Sequence, residues 1–357
     1  MVLKRIIKTV LSKSGYKIVP VGDSENDAYY CRVLTGMSDY NLSINSDLSI
    51  SCTCNDFLGE ASIGSLDGTN TIKSIFFGEK ANSMRAKLAK GKLPISLCSG
   101  CNELCAVPKS IAEYHKKHIE VPTGGISVEN CSECNYNCLY CSRKELKKTR
   151  ISSIISIENM KYIANEIKDN RIRRISFYKL GEPFLDKDVL KKIEILREVN
   201  PEAELVTSTN GALIDNSEKV SAALLFDLIF FSIDGISTEM QNKYQRGANF
   251  EKTMENIKMI VKERGNLKKP ILVWKYVVFS WNDSVEHINE VFDKAVEIGF
   301  DKIQFTRGSV AQYINNRSKR FFTKDFIPEN IKSLSGNKAR MDRDDLPPDN
   351  NGTGKMQ

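Results

Sequence analysis

The chain has 357 residues, 41% of them hydrophobic and 27% charged, with a formal net charge of +7, which suits one large folded unit and a small accessory one. No stretch reaches the roughly 18 consecutive apolar residues of a bilayer span, and no apolar leader with a small-residue cleavage site opens it. A cytoplasmic protein is therefore expected, and the scattered basic residues, such as Arg143, Lys147, Lys148 and Arg150, speak against a nucleic-acid surface.

Residues 3–13 read as a short basic amphipathic helix with Ile6, Ile7, Val10 and Leu11 on one face. Residues 41–54 alternate through Leu42, Ile44, Leu48 and Ile50 as a hairpin leading into Cys52. A helix over 80–90 follows, with Ala81, Met84 and Leu88 apolar and Gly91 as its stop, and then a polar connector from Pro108 to Pro122.

From residue 124 the pattern becomes strand–helix alternation, with strands expected at 125–129, 173–178, 203–208, 227–233, 271–278 and 302–306. The helices between them carry apolar stripes, for example Ile157, Met160, Ile163, Ala164 and Ile167. Ser156 and Ser284 stand where N-caps belong, and Gly299 closes the last helix. Strands with helical crossovers imply a parallel sheet, either doubly wound or a partial barrel. In both, functional residues gather at the C-terminal ends of strands. Residues 341–357 are polar with several Pro and Gly, and a disordered tail is expected there. The expected units are an N-terminal segment (1–50), a cysteine-rich unit (51–110), the alternating domain (120–310) and a C-terminal extension (311–357).

Ten cysteines in a chain without a secretory leader point to metal rather than disulfides. Cys31 stands alone and reads as a small buried residue, and Cys131 reads as buried, as a ligand of the second group or as a substrate contact. Cys134, Cys138 and Cys141, spaced C-x3-C-x2-C, follow the first strand of the alternating unit. Three thiolates on one loop hold three corners of a cubane cluster and leave one iron open, whereas zinc prefers four ligands arriving as two pairs. The triplet therefore favours iron–sulfur. A second group, Cys52, Cys54, Cys98, Cys101 and Cys105, fits a cluster or tetrahedral zinc.

The triplet, with Tyr140 before its last cysteine, resembles the radical S-adenosylmethionine superfamily. Further motifs follow in that family's order over residues 124–306. Gly181-Glu182-Pro183 comes after the second strand, Ser208-Thr209-Asn210-Gly211 ends the third, and Ser232-Ile233-Asp234-Gly235 ends the fourth. The resemblance implies an α/β fold, a partial (β/α)6 radical-SAM barrel preceded by a small cysteine-rich SPASM-like domain. It also implies a [4Fe–4S] cluster on Cys134, Cys138 and Cys141 that ligates S-adenosylmethionine. Tyr140, Gly181, Glu182, Pro183, Ser208, Asn210, Ser232, Asp234 and Arg246 would bind that ligand, Glu182 through its ammonium and Arg246 through its carboxylate.

The text from Ala61 through Ile75 to Arg85, between the cysteines of the second group, resembles a SPASM domain. That resemblance implies an auxiliary [4Fe–4S] cluster on Cys52, Cys54, Cys98 and Cys101, with Cys105 as a replacement for one of them. The family's chemistry then implies reductive cleavage of S-adenosylmethionine to a 5′-deoxyadenosyl radical, which abstracts hydrogen from a small metabolite, sugar or peptide. A flavodoxin or ferredoxin would serve as the reductant. A rival reading keeps the cysteines without catalysis, as an iron–sulfur or zinc protein that binds nucleic acid or senses redox state. It has no use for the strand-end motifs.

Overall fold

The structure is a computed structural model and describes residues 28–39, 41–146, 150, 152–307, 316–323 and 326–327. The helix expected at 3–13 and the tail at 341–357 lie outside them. The first part runs β1 (Ala28–Cys31), β2 (Ser43–Ile44), β3 (Ser49–Ser51), β4 (Ser62–Ser65), α1 (Ile72–Phe76), α2 (Glu79–Ala89), β5 (Leu104–Val107) and α3 (Lys109–Lys117). The alternating part opens with β6 (Ile126–Val128), α4 (Arg143–Leu146), α5 (Ile157–Asp169), β7 (Arg174–Ser176), α6 (Val189–Val199) and β8 (Glu204–Thr209). It continues with α7 (Ser217–Leu224), β9 (Leu228–Ser232), α8 (Thr238–Asn242), α9 (Phe250–Arg264), β10 (Ile271–Val278), α10 (Val285–Ile298) and β11 (Lys302–Arg307).

All the strands expected from residue 124 onward form, with ends that move by no more than two residues. Strands β6 to β11 lie side by side in sequence order and pair parallel throughout. Runs such as Leu228–Ser232 and Ile271–Val278 suit a sheet covered on both faces. Ile126, Ile175, Leu205, Ile229, Phe231, Leu272 and Trp274 are fully buried, and each such side chain contributes roughly 2 kcal/mol of apolar burial. The apolar stripe of α5 packs on this core through Met160, Ile163, Ala164 and Ile167. Both expected caps are present: Ser156 accepts the N–H of Asn159, and Ser284 accepts that of His287. Gly299 ends α10 at φ +98, and a β-carbon there would also meet Val261.

The expected hairpin forms as β2 and β3, and its placement is new. β2 pairs parallel to β6, with Ile44 opposite Val128, so β2, β3 and β4 extend the barrel sheet. β1 pairs antiparallel with β5 in a separate ribbon. The stretch read as a polar connector, Pro108 to Pro122, instead holds helix α3. Its Ala112 packs into a small apolar group with Ala28 and Ala89, and the ring of His115 stacks on Tyr30 at 3.9 Å. Ala112 is the one buried residue of this nine-residue helix, so α3 contributes little to the core.

Candidate metal and cofactor site

β6 ends at Val128, and the chain then enters the loop that carries Cys134, Cys138 and Cys141, all three half-buried and reduced. Its far limb pairs with a second segment: Asn137 N–H donates to the Arg246 carbonyl and Leu139 N–H to that of Tyr244, each at 2.9 Å. The Tyr140 ring stacks on Tyr244 at 6.4 Å, and Tyr136 is buried beneath. Burial pushes the Cys134 thiol up to about 11 and the Cys138 thiol up to about 12, and Cys141 and Cys134 add to the latter. The three thiols thus lie within one another's field on one loop. Cationic metal reverses that penalty and draws them into thiolates.

Among the described residues, no group of three or more His, Cys, Asp or Glu converges tightly enough to hold a single metal ion. A cubane asks for a wider arrangement, because each thiolate binds its own iron. The donor set fits such a cluster.

The turn after β7 lies directly against this loop. A β-carbon at Gly181 would lie 2.2 Å from the Cys131 carbonyl, so only glycine fits. Glu182 N–H donates to the Glu133 carbonyl at 2.7 Å. The Glu182 carboxylate is buried, which raises its affinity for a proton, and three donors oppose that shift: Thr209 Oγ1, Asn210 N–H and Phe184 N–H. Pro183 is buried at the start of the short helical turn that follows.

Asn210 reaches the cluster loop through its side chain, donating to Asn135 Oδ1 at 2.8 Å. Ser208 and Ser232, at the ends of β8 and β9, face each other at 3.3 Å between their hydroxyls and are both half-buried. The structure thereby brings together the loop thiols, the Glu182 turn, Ser208, Asn210 and Ser232. Asp234 stands differently from the role first read for it. The Asp234 carboxylate turns toward β10 and accepts Val277 N–H at 2.8 Å, and burial raises it to about 7. Arg246 joins the loop through its carbonyl, and its side chain is exposed.

The second cysteine group also assembles, with one member that the sequence reading set aside. Burial raises the thiol of Cys31 up to about 12, and Cys101 and Cys98 add to it. Cys52, likewise raised by burial, feels Cys31, Cys98 and Cys101. Cys31 is buried as expected, but it is not alone. Cys54 is raised by burial and lies beside Lys179 and Cys101. Cys105 sits opposite Tyr30 in the β1–β5 ladder and bonds its hydroxyl, whereas Cys31 sits opposite Leu104. Alternation along the strands then puts Cys105 and Cys31 on opposite faces of the ribbon. No spacing rule links Cys31 to Cys52 across a hairpin, so the sequence carried little signal for it. Cys131 is buried near Asp186 and Glu182, away from the second group.

Between the two cysteine groups, the ends of three neighbouring parallel strands carry Asn45, Glu129 and Lys179. Lys179 Nζ donates to Asn45 Oδ1 at 2.5 Å, and the Arg150 guanidinium pairs with Glu129 at 3.2 Å with both side chains buried.

Residues 131–275 match the family model of the Radical SAM superfamily. The chain carries a radical SAM domain over those residues. Curated relatives include a UPF0026 protein of Methanocaldococcus jannaschii, 26% identical over 34% of this chain and 39% of its own length. They also include a GTP 3′,8-cyclase of Peptoclostridium acidaminophilum, 25% identical over 35% of this chain and 38% of its own. The chain thus spans well under two thirds of these relatives. Among solved structures, Streptococcus suis SuiB bound to S-adenosylmethionine matches with TM-score 0.50 and 15% identity, over 65% of this chain and 55% of that one. At that identity the likeness concerns the fold. The family's cofactors are a [4Fe–4S] cluster and S-adenosylmethionine.

Proposed function

We propose that this chain is a radical S-adenosylmethionine enzyme that abstracts a hydrogen atom from a small metabolite, sugar or peptide held over the strand ends. The convergence of three half-buried thiols with the Glu182 turn and the Ser208–Ser232 pair, all at the C-terminal ends of consecutive parallel strands, carries the reading. When bound, the cluster and S-adenosylmethionine supply one-electron cleavage of a carbon–sulfur bond and the hydrogen abstraction that follows.

The chain's own residues bind, orient and exclude water. Cys134, Cys138 and Cys141 would hold the cluster, and the Tyr140–Tyr244 stack and the backbone pairing to residues 244–246 keep that loop in place. The Glu182 turn offers backbone acceptors to the ligand's ammonium, and its carboxylate fixes the end of β8. Ser208, Asn210 and Ser232 present hydroxyl and amide groups to the ribose and carboxylate, with Arg246 reaching the latter from the rim. Cys31, Cys52, Cys98 and Cys101 would hold an auxiliary cluster in a SPASM-like unit, which would supply a one-electron acceptor. A flavodoxin or ferredoxin supplies the first electron.

The relative named a GTP 3′,8-cyclase aligns with 35% of this chain, so the shared radical chemistry is carried over and the purine substrate is not. The test is anaerobic reconstitution followed by iron and sulfide analysis of the wild type and a Cys134/Cys138/Cys141→Ala variant. Loss of one of two clusters in the variant supports the assignment. Zinc without sulfide in the wild type refutes it.

A further inference from the structure

Asn130, Asp186 and Lys192 meet beneath the Glu182 turn, and none of them belongs to a motif read from the sequence. All three are fully buried. Asn130 follows β6 on the limb that leads into the cluster loop. Its Nδ2 donates to the Pro183 carbonyl at 3.0 Å and to Asp186 Oδ2 at 3.1 Å. Lys192, in the first turn of α6, donates to the same Asp186 oxygen at 2.5 Å, and Asp186 Oδ1 accepts Asp188 N–H at 3.1 Å. These donors fix which end of the Asn130 amide points at Pro183.

A buried lysine inside a helix is costly unless it is paired and its partner is well bonded. Replacing such a pair by apolar residues often leaves stability unchanged or improves it, so stability alone is a weak reason for its presence. Geometry supplies a better one. The turn from Gly181 to Asp186 touches the cluster loop at Gly181, where there is no room for a β-carbon, and at Glu182 N–H. Asn130 is a further tie between the same two segments, and Lys192 anchors that tie to a rigid helix.

We infer that Asn130, Asp186 and Lys192 form a buried positioning triad that sets the Gly181–Glu182–Pro183 turn against the cluster loop and so governs affinity for S-adenosylmethionine. The inference rests on the function proposed above. The three residues are buried beneath the turn and act through it. Holding a binding constellation to within about half an ångström requires supporting groups of this kind.

The test uses the reconstituted holoprotein with S-adenosylmethionine as the probe, measured by equilibrium dialysis. Two variants are compared with the wild type: the charge-balanced Asp186→Asn/Lys192→Met pair, and Asn130→Ala, which keeps the ion pair and removes only the tie. A third, Lys192→Arg, preserves the charge. The triad predicts wild-type iron, sulfide and circular dichroism in both disruptive variants, with Kd for S-adenosylmethionine raised about tenfold. At a fixed concentration of that ligand, its effect on the electron paramagnetic resonance signal of the reduced cluster is correspondingly weaker, and Lys192→Arg recovers part of both. Should the pair variant fail to fold, Asn130→Ala alone decides. Folded, cluster-loaded variants that bind S-adenosylmethionine as tightly as the wild type overturn the triad and leave the proposed function standing. A wild type that loads its clusters yet binds no S-adenosylmethionine overturns both.

Discussion

Glu182 clamps the end of the neighbouring strand: its Oε1 accepts the Thr209 hydroxyl at 2.6 Å while Oε2 accepts Asn210 N–H at 2.8 Å. Three donors in all converge on this buried carboxylate. Glu182→Gln replaces an acceptor with an amide that must point hydrogens at one of them. The expected loss is about 2–3 kcal/mol of stability, read as a lower urea midpoint with an unchanged slope.

The Glu129–Arg150 pair sits at the seam between β6 and the β2–β3 hairpin. Glu129 Oε2 also accepts Ser46 N–H at 3.3 Å, and Arg150 donates to the Asp56 carbonyl at 3.0 Å. Arg150→Met leaves a buried carboxylate without its cation and is expected to cost about 3–5 kcal/mol. Adding Glu129→Gln removes the stranded charge and should recover most of that loss. A double-mutant cycle on thermal midpoints checks it.

The neighbourhood of Cys31 distinguishes two sets of auxiliary ligands. With Cys31, Cys52, Cys98 and Cys101 as the set, Cys31→Ser is expected to lower reconstituted iron from about eight to about four per chain, whereas Cys54→Ser keeps about eight. Iron analysis under anaerobic conditions reads both, and the reverse pattern would restore Cys54 to the set.

Asp227 ties the opposite ends of the strands. Burial acts to raise its carboxyl, but Lys269, Leu205 N–H and Arg197 outweigh that and hold it below its ordinary value. A carboxyl depressed in the folded state contributes stability above its unfolded value, and that contribution is lost as pH falls through the folded one. Asp227→Asn is expected to cost about 1 kcal/mol at pH 7, given its solvent exposure. In acid, once pH has fallen through that depressed value, the variant and the wild type should converge. Denaturant melts at the two pH values check the sign.

The alternating strands, their caps and the strand-end motifs were legible because they repeat: apolar runs of strand length, stripes of helical spacing, and turns at fixed offsets. Strand β10 was read to its last residue. The pairing of β2 with β6 was not legible, since two residues of strand carry no period and the partner lies far along the chain. The Cys31 neighbourhood and the contact of Asn130 with Asp186 escaped for the same reason: each joins residues far apart in sequence. Asp234 shows the converse: it follows the end of β9 as expected, but the direction of its carboxylate is set by the N–H that β10 offers nearby.

The most direct test of the central claim is 5′-deoxyadenosine production by the anaerobically reconstituted, dithionite-reduced protein with S-adenosylmethionine, set against the Cys134/Cys138/Cys141→Ala variant. Product from the wild type and none from the variant is the predicted result. Equal product from both, or none from a wild type carrying its full iron and sulfide and offered metabolite, sugar and peptide substrates, would contradict it.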